Sequence, residues 1–186
     1  MSRRLLVFDL PDRFVVGTVG LPGERTFFLQ ARAGDRLVSV ALEKVQVSVL
    51  AERVNELLAE VRRRADTGDE PGPDSGALAD ADPLDSPVEE EFRVGTLALA
   101  WDDEDQRVVI EAHAVADDTV AEPQPFDDDT VDGPDVLRVR LAPAAAHGFA
   151  DRALRVIAAG RPPCPLCGQP VDPEGHACPK QNGHRR

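Results

Sequence analysis

Tyrosine is absent from this chain of 186 residues, which holds one tryptophan, one methionine and seven phenylalanines. Apolar residues still make up 42% of it, enough to bury a core, but one built mainly from aliphatic side chains. No apolar run approaches the ~20 residues of a membrane-spanning helix. Arg3 and Arg4 open the chain, yet Asp9 and Asp12 interrupt any leader-like apolar segment. The three cysteines all fall within residues 164–178 and exclude a disulfide framework. Bases are also scarce, 21 against 34 acids, so the net charge is −13. That excludes non-specific nucleic-acid binding by the molecule as a whole, because phosphate repels a polyanion. No Walker loop, dinucleotide-binding glycine fingerprint, nucleophile elbow or H-E-x-x-H motif is present. The expectation is a soluble, cytoplasmic protein in which no catalytic residue and no organic-cofactor site can be assigned; the missing motifs do not exclude catalysis.

Charge is unevenly distributed. Residues 1–136 carry 13 bases and 31 acids; residues 137–186 carry eight bases and three acids, a balance of +5. Two stretches concentrate the acids. Residues 66–91 hold ten acids and no base, and residues 117–135 hold eight acids and no base. Both are Pro-rich and self-repelling and read as disordered or loosely ordered loops. Glu89-Glu90-Glu91 and Asp127-Asp128-Asp129 offer a divalent-cation reading, but without the Gly-punctuated spacing of a calcium loop they read as solubilising acids.

Between these stretches the pattern is regular. Leu5–Leu10, Arg13–Val19, Arg25–Arg32 and Arg36–Leu42 are short Val-, Phe- and Leu-rich runs parted by turn residues, as in a meander of strands. The period then changes: Val47, Leu50, Val54, Leu57, Leu58 and Val61 recur at helical intervals, predicting a helix over ~46–64 with a basic last turn. Arg93–Trp101 and Gln106–Val115 read as a hairpin, Asp135–Leu141 as a strand with Arg138 and Arg140 pointing out, and Pro143 as the start of a second helix closed by Gly160. The expected fold class is α+β: a mostly antiparallel sheet with two amphipathic helices, in two strands-then-helix halves. His113 is expected to be exposed on its strand, His147 partly exposed on the second helix, and Glu43 with Lys44 a surface ion pair at a strand-to-helix turn.

The strongest motif lies near the end: Cys164-Pro-Leu-Cys167-Gly168, then Gly175-His176-Ala177-Cys178, then Gly183-His184. A C-x2-C pair followed by Gly turns tightly enough for main-chain amides to bond the thiolates. With Cys178 and one histidine it completes a four-ligand set for Zn²⁺, the ion that soft thiolates plus imidazole select. His176 is the favoured fourth ligand, because a Pro-Glu turn brings it back toward Cys164, and His184 is the alternative. The competing readings are three ordinary thiols, or a Cys164/Cys167 redox pair, which would be expected at a strand-to-helix junction. The expected organisation is thus an αβ domain over 1–160 and a zinc-knuckle module over 161–186, whose folding energy would come largely from the metal.

Pro11–Gly20, Pro22–Ala31, Val40–Lys44, Val49–Arg53, Arg161–Gly168 and Gly175–Pro179 together resemble an actinobacterial family, the domain of unknown function 3090. The resemblance spans most of the chain outside the acidic stretches. It implies no activity, substrate or catalytic residue. The family pattern does not require histidine at the position of His184, which the resemblance turns into support for His176. The functional expectation is a non-catalytic, zinc-stabilised adaptor that binds a protein partner. The alternatives are nucleic-acid or ribonucleoprotein binding through the basic residues Arg138, Arg140, Arg152, Arg155, Arg161, Lys180, Arg185 and Arg186, and an enzyme with a pocket near Glu43 and Lys44.

Overall fold

The computed structural model describes residues 3–21, 23–65, 80–116, 125–126, 133–160 and 164–168, and positions 171, 178 and 180. The elements run β1 (Leu5–Asp9), β2 (Arg13–Val19), β3 (Thr26–Ala33), β4 (Arg36–Leu42), α1 (Lys44–Arg64), β5 (Glu90–Asp102), β6 (Arg107–Ala114), β7 (Val136–Leu141) and α2 (Pro143–Ala158). All seven strands form one sheet in the order β1-β7-β6-β5-β4-β3-β2.

Two antiparallel meanders, β2-β3-β4 and β5-β6-β7, each lead into a helix, so the expected strands-then-helix halves are both present. The sheet is mixed, however, and not the mostly antiparallel one expected. β4 and β5 run parallel because α1 carries the chain back across the sheet between them. β1 leaves the first meander altogether and pairs in parallel with β7, Leu5 opposite Val136. Only Leu10-Pro11-Asp12 then joins β1 at one edge to β2 at the other. Such a link reaches at most about 14 Å from Asp9 to Arg13, so the sheet curls until its two edges meet at that corner. The contacts of α2 with β2, β6 and β7 place this helix inside the curl.

Alternation explains the core. Phe14, Val16, Leu29, Val40, Leu42, Ile110, Leu137 and Val139 face the helices, which return Val47, Leu50, Val54, Leu58 and Phe149. Each fully buried Val or Leu contributes about 1.5–3 kcal/mol. Gln46 fixes the entry of α1: its Oε1 accepts the Glu43 N–H at 2.8 Å while its Nε2 donates to the carbonyls of Val94 and Gly95. Pro143 opens α2 with a preset φ and no wasted donor.

The opposite face of the sheet carries Gln30, Ser39, Glu111 and His113, all buried. The cover comes from the acidic stretches. Asp80–Asp85 lies over β2 and β3, with Leu84 against Gly17, and the Phe126 N–H donates to Glu111. The expectation of loose loops therefore fails at residues 80–91 and 133–135, where carboxylates are paired with arginines instead of repelling one another, and at 125–126, where the Phe126 N–H bonds Glu111. Residues 66–79, 117–124 and 127–132 lie outside the described residues, Asp127-Asp128-Asp129 among them. Among the described residues no helix is long and apolar enough to cross a membrane.

Candidate metal centre

Cys164 follows α2 closely in the chain. The end of that helix is held by Arg25, whose Nη1 donates to the Ala159 carbonyl at 3.1 Å, and Lys44 Nζ approaches Gly160. From Cys164 the chain makes a single turn closed by the Gly168 N–H on the Cys164 carbonyl at 2.8 Å. Gly168 has φ +75°, a conformation that strains any residue with a Cβ. This is the turn expected of C-x2-C-G, and it is not the start of a helix.

Cys164 and Cys178 are 7% and 3% exposed, Cys167 is half-buried, and the three Sγ atoms lie within 4.8 Å of one another. The N–H groups of Cys167 and Leu166 stabilise the Cys164 thiolate, and the neighbouring thiols add to this, holding its pKa below the usual thiol value. The Sγ atoms of Cys164 and Cys178 are 3.9 Å apart. That is nearly twice the ~2.05 Å of a disulfide. It matches the edge of roughly 3.8 Å that a tetrahedron with ~2.3 Å zinc–sulfur bonds requires. The three cysteines can therefore hold one metal ion, with a corner left for a fourth donor. His176 and His184, the two expected candidates for that corner, lie outside the described residues.

The remaining sequence candidates are placed differently. Glu43 pairs with Arg93 at 3.1 Å and not with Lys44, because the helix cap turns its side chain toward β5. Glu91 pairs with Arg4, and Glu90 lies 3.9 Å from Arg93. His147 is about half exposed, with Nε2 3.6 Å from Asp151. His113 is wholly buried, contrary to expectation, because the face it shares with Glu111 is covered. Its Nε2 lies 2.9 Å from Glu111 Oε2, which also accepts the Phe126 N–H, while Arg138 Nε donates to Oε1. Burial opposes ionisation of Glu111, but these donors outweigh it and hold its carboxyl down at about 2.

Arg138 and Arg140 point away from the helices as expected, but into ion pairs: Arg140 binds Asp102 and Asp105. Arg152 is buried against Asp80. Three of the eight residues proposed as a basic surface are thus committed within the fold. For Arg138 alone the sequence held a signal, Glu111, which falls opposite it on the neighbouring strand.

A family model described as "Protein of unknown function (DUF3090)" matches residues 6–178, spanning the sheet, both helices and all three cysteines. No curated protein and no solved structure matches the chain.

Proposed function

Since the chain belongs to the DUF3090 family, whose description assigns no activity, we propose from the site itself that it is a non-catalytic, zinc-stabilised adaptor for a protein partner. Residues 1–160 form its body and 161–186 a knuckle module in which Cys164, Cys167, Cys178 and His176 ligate zinc, with His184 the alternative fourth donor. The observation that carries the reading is the packing of three thiols within 4.8 Å of one another, Cys164 and Cys178 at the spacing of a tetrahedral edge. Bound zinc would supply folding energy to a segment too short to bury its own core, on the order of 10 kcal/mol.

The surroundings of the knuckle suit docking. Arg25 brings the β2–β3 turn to the end of α2, and Lys44 brings the start of α1 there. Those same elements expose Leu21, Val45 and Val49, and the knuckle exposes Leu166. Exposed apolar side chains on these elements fit a protein surface better than a phosphate backbone. Purified protein is expected to contain close to one zinc per chain by elemental analysis, lost in Cys164→Ser and Cys178→Ser. His176→Ala should lose more metal than His184→Ala. Full metal retention in the cysteine variants would refute the site. Submicromolar binding of duplex DNA or structured RNA at ~150 mM salt would overturn the adaptor reading.

A further inference from the structure

The segment Asp80–Asp85 sits on the sheet as a bound peptide sits in a recognition groove. The Asp80 carboxylate accepts from Nε and Nη2 of Arg13 at 2.6 and 2.9 Å and from Nη1 of Arg152 at 2.7 Å. The Asp82 carbonyl accepts from both guanidiniums. Leu84 fills a notch that exists because residue 17 is glycine; a Cβ there would lie 2.5 Å from Leu84 Cγ. Gln30 then reads the main chain of Asp85 on both sides, accepting its N–H at 2.7 Å and donating to its carbonyl at 3.0 Å. The framework is held independently of this occupant: Arg152 Nε donates to the Val16 carbonyl, Gln30 bonds Ser39, and Phe14 stacks on Phe149.

The occupant does not fill the groove. A cavity of about 230 Å³ continues past Asp80, lined by Phe149, Arg152 and Arg155 among others. Among the described residues no carboxylate pairs with Arg155, whose Nε donates to the Asp151 carbonyl at 3.3 Å. The four residues before Asp80, Gly76-Ala77-Leu78-Ala79, carry no charge, and the next acid back along the chain is Asp74. Among the described residues, without Asp80 and Asp85 the groove presents Arg13, Arg32, Arg152 and Arg155 against Asp12 and Asp151. That is a basic site on a chain of net charge −13.

We propose that this groove recognises an acidic peptide of a partner protein, of the form Asp-x-Asp-Pro-Leu-Asp preceded by further acids, and that residues 80–85 occupy it in cis. Tethering gives the internal segment an effective concentration of order mM. A partner displaces it by offering Arg155 a carboxylate, which none of the described residues does. This site is separate from the metal centre, so either assignment can fail alone.

The test uses the full chain with Asp80→Ser, Leu84→Ser and Asp85→Ser, and two labelled peptides, Glu-Glu-Asp-Ala-Asp-Pro-Leu-Asp and its Ala-Ala counterpart, followed by fluorescence anisotropy. The triple variant is expected to bind the Glu-Glu peptide about ten-fold tighter than the Ala-Ala one, and Arg155→Glu to erase that preference. In the unaltered chain, excess Glu-Glu peptide should speed hydrogen exchange at the Asp85 amide, a readout that holds even where the triple variant does not fold. No peptide binding together with unchanged Asp85 exchange overturns the proposal, as does equal affinity for the two peptides. A heterodimer of triple-variant and unaltered chains in place of peptide binding would assign the groove to a second copy and overturn it too.

Discussion

Glu111 is the residue on which the far face of the sheet depends. A carboxylate with no solvent contact is costly unless its lone pairs are filled, and here Arg138, His113 and the Phe126 amide fill them. Its folded pKa of about 2 lies below the ordinary 4.5, so the ionised form favours the native state. That contribution, about 3 kcal/mol, is fully present above pH ~4.5 and is lost as pH falls toward 2. Asp80, lowered from 3.8 to about 2 chiefly by Arg13, acts in the same direction. Urea midpoints should therefore fall steeply between pH 4.5 and 2, and Glu111→Gln should flatten that slope while costing roughly 3 kcal/mol at pH 7. A variant with an unchanged slope would show that Glu111 is not the group being titrated.

At the level of elements, strands and helices were legible in the sequence to within a few residues, since periods of two and 3.6 mark one buried face each. What periodicity cannot carry is the partner of an edge strand or the cover of a polar face. β1 reads as the first strand of a meander, and only long-range pairing sends it to β7. His113 reads as exposed because Glu111 beside it is charged, and nothing local announces the Phe126 segment above them. The Cys164–Gly168 turn was legible because its chemistry is local; Arg13 and Arg152 clasping Asp80 was not, because their partner is remote in sequence. Gly17 tests the cover directly. Gly17→Ala forces a methyl into Leu84 and should cost ~1–3 kcal/mol. Adding Leu84→Ala should recover part of that loss, a coupling measurable by a double-mutant cycle; strictly additive losses would contradict the contact.

Over the whole molecule, both edges of the sheet are guarded by arginine. Arg152 takes the Val16 carbonyl on β2, and Arg36 takes the Val7 carbonyl on β1 at 2.9 Å while its guanidinium lies 4.4 Å from the centre of the Phe8 ring. A free carbonyl beside the half-exposed Leu5 and Val7 would offer another chain a template for pairing. Arg36→Ala is accordingly expected to raise self-association in sedimentation velocity at tens of micromolar, and a strictly monomeric variant would show that the edge needs no guard. The placement of β1 also sets a clock for synthesis. Arg4 and Asp135, which meet beside this strand pair, stand 131 residues apart. At ~5–20 residues per second the ribosome needs roughly 7–26 s to deliver β7 after β1 has emerged. Throughout that interval the first strand has no partner for its backbone. Arg36, made soon after Phe8, is the group at hand to shield it until the last strand arrives.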